Sequence, residues 1–480
     1  MFLAAAAILV LEIVAARLLA PYVGVTLETY TGIIGTVLAG IAFGSWYGGR
    51  LADRLDPRAL LGPIVVVGGI LAMAAVPIVE GLGEPLRGGG PTAVVALALV
   101  AFFAPAAVLS AVQPTVAKLQ LHRLEHTGEV VGGLSALATA GALVGTFLTG
   151  FVLVARVPTR PIVLGVGLAL VLGGAALWLL LGRRARVLTG TLLVLALVPA
   201  SAALAVEDGC QIASAYSCVR VVEDPEREGG RTLLLDTARN SYVDLDDPTH
   251  LEFRYARAFA AAIDTLAPAG PLDALHIGGG GFTMPRYLAA TRPGSRSVVL
   301  ELDPAVVEIG RTRLDLETGP DLRVRVGDAR QTIDDEPRDG YDVVVGDAFS
   351  GLTVPWHLTT VEMLRAIRDR LTPRGLYVLN LIDLPPLRFG RAEAATLGEV
   401  FEHVALIATP PMAQGQDGGN HVFVASDEPI DPVALEAAVR SAGGFEVVLA
   451  GATLDAWIDG ERSLRDDFAP VDQLLTPYTG

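Results

Sequence analysis

Apolar residues dominate the first two hundred positions of the chain, then give way to short alternating runs. Seven stretches are hydrophobic enough to cross a bilayer, at 1–20, 32–49, 60–79, 92–112, 131–155, 162–181 and 187–206; a span takes roughly 20 residues. The first has no basic leader, so it reads as a span rather than a cleaved signal. Beyond 206 the pattern changes. Strand-like segments at 216–222 and 231–236 flank an acidic, glycine-containing turn at 223–230. Helical periodicity runs from His250 through Phe253, Tyr255 and Phe259 to Leu266, and Pro268, Gly270 and Pro271 break it.

Strands and helices alternate from there. Strand 272–277 runs into Gly278-Gly279-Gly280-Gly281 and a helix-like segment. Further strands follow at 297–303, 322–328, 341–347 and 376–382, then 403–408 and 420–425, with helices between, one opened by Pro304 and one over about 359–371. The pattern predicts an α-helical membrane bundle at 1–206 and a small β region at 207–250. A Rossmann-like, doubly wound parallel sheet follows at 251–480, with its ligand at the carboxyl ends of the strands.

Charge divides the chain the same way. Of its 480 residues 52% are hydrophobic, mean hydropathy is +0.50 and net charge is −16. Residues 1–206 carry 12 Lys+Arg against 8 Asp+Glu, and the remainder 24 against 44. So acidic a domain excludes nucleic acid as a partner, since phosphates need a basic surface. Basic residues gather in alternate loops: Arg50, Arg54 and Arg58; Lys118 and Arg123; Arg183, Arg184 and Arg186. That places the N-terminus in the cytoplasm; seven spans then carry the rest outside, whereas without a span at 187–206 the rest returns to the cytosol. Cys210 and Cys218 are the two cysteines. They are either a disulfide, which favours the outside, or two buried thiols; their spacing fits no metal site.

Within the apolar half, Glu12 and Arg17 share the first run, where charge is expensive. They form a structural pair or mark a ligand path. Gly141, Gly145 and Gly150 have the spacing that lets helices approach closely. The segment Gly48-Gly49-Arg50-Leu51-Ala52-Asp53-Arg54 resembles a loop of major-facilitator transporters, of which this bundle would be about half.

The candidate chemistry lies at the strand tips. Glycines at 278–281 let the backbone pass through positive φ and lie against a ligand. The helix start beyond them offers free N–H groups. Carboxylates end the next strands: Glu301 and Asp303, Asp328, and Asp347. An acid at the second strand can accept ribose hydroxyls, and one after the third an adenine amino group. Together they point to an adenosine-bearing ligand.

Over roughly 210–426 the chain resembles the spermidine synthase (polyamine aminopropyltransferase) family, in a form fused to a multi-span segment. The resemblance rests on Leu235-Asp236 with Asn240-Ser241, His276-Ile-Gly-Gly-Gly280, Leu300-Glu-Leu-Asp303, Gly327-Asp328-Ala329 and Tyr341-Asp-Val-Val-Val-Gly-Asp347. It implies decarboxylated S-adenosylmethionine as cofactor, held by Gly278, Gly279, Gly280, Glu301, Asp303 and Asp328. It implies Asp347 beside the reacting amine, and Asn240, Tyr255 and Ser350 at the acceptor. Departures accompany it: Gly281 and Ser350 replace family acids, Asn240 a glutamine, and Arg257 the acid of a Tyr-x-Glu pattern. Asp244, Asp246, Asp247 and His250 are candidate substitutes, and His357 a candidate cover for the pocket. Three readings follow. The first is membrane-anchored aminopropyl transfer to a small cationic or lipid-associated acceptor. The second is methyl transfer from S-adenosylmethionine, and the third a non-catalytic extracytoplasmic binding domain. The lipid bilayer is the expected partner, and homo-oligomerisation stays open.

Overall fold

The computed structural model describes residues 1–23, 27–86, 90–120, 127–181, 196–199, 201–202, 210–214, 216–351 and 353–475. The chain divides into two compact units, Met1–Cys218 and Val219–Thr479.

In the first unit, six helices among the described residues are long and apolar enough to cross a membrane: Phe2–Val23, Thr29–Arg54, Pro57–Leu86, Thr92–Gln120, Thr127–Leu153 and Thr159–Leu181. The seventh expected span, 187–206, lies for the most part outside the described residues. Gly141 and Gly145 face the first helix. A Cβ on either would strike the backbone of Phe2 or Ala6, so these helices touch main chain to main chain. Gly150 faces open space. Glu12 and Arg17 are both half-buried on the first helix. One charge pair was not visible in the sequence pattern: Arg160 reaches Glu80 at 2.5 Å, with side chains only 17% and 7% exposed. Buried charge is tolerated where it is paired. Cys210 and Cys218 form a disulfide, which decides between the two readings of the pair.

The strands Cys218–Glu223 (β1), which enters the second unit at Val219, Gly230–Leu235 (β2) and Ala238–Asp244 (β3) pair antiparallel in sequence order. Helix α1 follows at Arg254–Leu266. It starts later than the apolar period suggests, because Pro248 and the carboxylate of Asp247, which accepts from Thr249 N, hold the preceding residues in a turn. Tyr255, Phe259 and Ile263 are four apart and share one face of α1. Phe259 and Ile263 are fully buried. Burying such a side chain contributes about 1.5–3 kcal/mol, which fixes the rotation of the helix and hence the aim of Tyr255.

The main sheet has eight strands. They are Asp273–Ile277 (β4), Arg296–Glu301 (β5), Leu322–Val326 (β6), Tyr341–Gly346 (β7), Leu371–Asp383 (β8), His403–Ala408 (β9), Gly419–Ser426 (β10) and Val447–Ala450 (β11). Their order is β11-β9-β10-β8-β7-β4-β5-β6. Strands β6, β5, β4, β7 and β8 are parallel neighbours. The expected all-parallel sheet is corrected at the other edge. There β10 runs antiparallel between β8 and β9, and β11 antiparallel on β9. The crossover from β8 to β9 skips one position, and the short return from β9 fills that gap with a hairpin-like partner. Strand β8 also starts earlier than predicted, at Leu371, and takes up the Pro373-Arg374-Gly375 segment. Both faces of the sheet are covered. Val343 and Val345 enter one core with Phe259, Leu288 and Leu435. Val344 enters the other with Leu364, Leu381 and Phe389. Strands buried on both faces explain why 341–346 and 376–382 read as nearly continuous apolar runs.

Candidate active site

The parallel strands end on one crevice, and their order sets its layout. Strand β4 is central, with β5 on one side and β7 on the other. Gly278 has φ +95° and Gly280 φ +49°. These conformations suit glycine and carry the chain across the tip of β4. Strand β3 lies against the turn. Ser241 Oγ accepts from Gly281 N at 2.7 Å, and Thr283 Oγ1 donates to Tyr242 O at 3.0 Å. A Cβ at Gly281 would lie 2.9 Å from Ser241 Oγ and 3.0 Å from Val243 Cγ1. The missing acid at this position is therefore matched by a closed space.

Glu301 ends β5, 7% exposed. Its Oε2 accepts from Gly279 N at 2.7 Å and its Oε1 from Asp303 N at 2.7 Å. Burial pushes its carboxyl up, against the pull of these two N–H groups. Each oxygen keeps a further lone pair, which suits a ribose diol. Asp303 is the N-cap of helix α2 (Pro304–Arg313), its Oδ1 accepting from Ala305 N at 2.9 Å. Asp328 caps the turn after β6 with Oδ1, accepting from Arg330 N at 2.8 Å. Its Oδ2 lies 3.2 Å from His357 Nε2. His357 thus stands beside the carboxylate predicted near the base.

Asp347 ends β7, and its N–H donates to Ile277 O at 2.9 Å, beside the glycine turn. Tyr255 Oη donates to its Oδ2 at 3.1 Å, and Asn380 Nδ2 to its Oδ1 at 2.9 Å. Asn420 Nδ2 donates to Asn380 Oδ1 at 2.9 Å, which fixes the amide with its donor toward the carboxylate. Burial raises the Asp347 carboxyl to about 6, and the two donors pull the other way. Burial, with the Asp347 charge, holds the Tyr255 phenol well above its usual value, so it stays a donor.

Tyr255, Asn380 and Asn420 line a cavity of about 420 Å³ with Asn240, Phe349 and Glu446. Ser350 is exposed beside it, bridged to Thr353. The candidate substitutes do other work. Asp244, 3% exposed, pairs with Arg227 and accepts from the N–H groups of Asp246 and Asp247. His250 lies 3.4 Å from Glu252. Asn380 and Asn420 were missed by sequence reasoning. A signal existed for Asn380: it is the polar residue inside Leu376-Tyr-Val-Leu-Asn-Leu-Ile382, 1% exposed. A buried amide needs partners, so its place in an apolar strand marks a site.

No family model matches the chain. Among curated proteins, the polyamine aminopropyltransferase of Vibrio vulnificus is 30% identical over 246 residues, 48% of this chain and 79% of that protein. Polyamine aminopropyltransferase 2 of Streptomyces coelicolor is 29% identical over 372 residues, 73% of this chain and 60% of its own. That share exceeds the Val219–Thr479 unit, so the likeness reaches into the apolar half. The eEF1A lysine and N-terminal methyltransferase of Danio rerio is 30% identical over 121 residues, 23% of this chain and 18% of that one. Among solved structures, a probable spermidine synthase from Corynebacterium glutamicum is 32% identical with a TM-score of 0.49, covering 52% of this chain and 94% of its own.

Proposed function

Because the chain belongs to the polyamine aminopropyltransferase family, we propose that it is a membrane-anchored transferase moving an aminopropyl group from decarboxylated S-adenosylmethionine to an amine. When bound, that cofactor supplies a carbon activated by a sulfonium, and the C–S bond pair returns to sulfur as a thioether. The glycine turn and Glu301 hold its nucleoside at the tips of β4 and β5, and Asp328 with His357 the base. Asp347 accepts the proton that the attacking nitrogen loses as the new N–C bond forms. Tyr255 and Asn380 keep the carboxylate aimed, so the acceptor is held for in-line attack. The observation that carries this reading is Asp347 itself, held between Tyr255 and Asn380, two donors that line the acceptor cavity. Incubating the full chain with decarboxylated S-adenosylmethionine and 1,4-diaminobutane tests it. The expected products are the aminopropylated amine and 5′-methylthioadenosine in equal amounts; neither forming would defeat the reading.

Methyl transfer from intact S-adenosylmethionine is the second reading, and it is favoured by Gly281, which carries no acid and where a Cβ would crowd Ser241 and Val243. A methylated acceptor in the same assay, with intact cofactor, would select it.

The six apolar helices support the membrane anchor. With the expected seventh span at 187–206 added to the six, the alternate basic loops support an outward position for the second unit, and the Cys210–Cys218 disulfide supports the same side. A reporter fused after Gly480 should be active only outside the cytoplasm; activity inside reverses this placement.

A further inference from the structure

A diamine is a double cation, and taking it out of water needs a negative charge for each end. The chain lacks the family acids at Gly281 and Ser350, yet the cavity beside Asp347 has another buried carboxylate. Glu446 lines it, 7% exposed, just before β11 at the antiparallel edge of the sheet. Its Oε2 accepts from Phe445 N at 2.9 Å. Among the described residues it makes no salt bridge. A carboxylate placed so, with one backbone donor and no cation, is a half-made site.

The other charges on the lining are occupied or at the rim. Arg239 and Arg254 are exposed and lie over phenylalanine rings, 5.3 Å from Phe253 and 5.1 Å from Phe445. Glu252 is exposed and lies 3.4 Å from His250. Glu446 is therefore the buried acid that lines this cavity, and Asp347 lies behind the lining, bonded to the lining residues Tyr255 and Asn380.

We propose that Glu446 binds the distal ammonium of a diamine acceptor whose near nitrogen sits at Asp347, so that this chain selects doubly charged amines by a residue outside the family motif. The proposal rests on the aminopropyl-transfer reading for its chemistry, but its test does not depend on turnover. Binding of 1,4-diaminobutane and of butan-1-amine to the full chain is measured by calorimetry, with and without S-adenosylmethionine, in the native protein and in Glu446→Gln. The native protein should hold the diamine at least about tenfold more tightly than the monoamine. Glu446→Gln, nearly the same in shape, should lose that margin and bind the monoamine as before. Glu446→Asp, which keeps the charge on a shorter arm, should keep part of it. Equal binding of the two amines by the native protein, or an unchanged margin in Glu446→Gln, overturns the proposal. A margin that vanishes in Glu446→Gln while no aminopropyl product forms would sustain the diamine site and defeat the transfer reading alone.

Discussion

Asp347→Asn should lower turnover by roughly 10²–10⁴-fold, the usual span for losing a general base, with cofactor affinity unchanged. The asparagine keeps the shape; its oxygen can still accept from Asn380 and its NH2 can donate to the Tyr255 oxygen, but it cannot take a proton. Cofactor affinity should persist because the nucleoside contacts lie on other strands, at Gly279, Glu301 and Asp328. The native carboxyl also sets a pH limb. Burial is the largest influence and lifts it from the ordinary carboxylate range to about 6, although Asn380 and Tyr255 favour the ionised form. A group raised in this way is protonated, and useless as a base, below about pH 6. Turnover should therefore fall about tenfold per pH unit below that point and level off above it. Steady-state rates from pH 4.5 to 8, with calorimetric titration of cofactor into both proteins, check both parts. Turnover in Asp347→Asn within threefold of native would remove this residue as the base.

Local signals and distant ones were not equally legible in the sequence. The tip of β4 was readable because both of its causes are local: an apolar run, then glycines that allow positive φ. The acids at Glu301, Asp328 and Asp347 were readable because each closes a strand whose apolar length is plain. Asp303 looked the same in one dimension, but two residues further along the chain it caps α2. The antiparallel placement of β10 was not readable. It depends on Val424 pairing with Val378 on one side and Ala405 on the other, partners far away in sequence. Asn420 and Glu446 were hidden for the same reason, since they reach the cavity only through that edge of the sheet. In the apolar half, small residues foretold close contact at Gly141 and Gly145. The Arg160–Glu80 pair joins two helices by geometry that no hydropathy pattern carries.

Gly278→Ala should damage both the fold and the chemistry, by a route that separates it from an ordinary glycine loss. Gly278 sits at φ +95°, where an L side chain strains the backbone by roughly 1–3 kcal/mol. Its neighbours add more. A Cβ there would lie 2.5 Å from the carbonyl oxygen of Asp347, 2.9 Å from its carbonyl carbon and 3.1 Å from Ala348 Cα. These are backbone atoms that cannot swing aside as a flexible side chain would, so the tip of β7 must move and carry the Asp347 carboxylate with it. A displacement near 1 Å at a reacting group costs about 10²-fold in rate. Gly270 supplies the control. Its φ is +96°, nearly the same, but a Cβ there meets nothing within 4 Å. Gly270→Ala should lower the melting temperature through backbone strain alone and leave turnover at the native level. Gly278→Ala should melt at a lower temperature still and turn over about a hundredfold more slowly. Thermal melting and turnover of the three full-length proteins side by side decide the matter. Native turnover in Gly278→Ala would mean that the strand tip bearing Asp347 does not depend on the bare backbone beneath it.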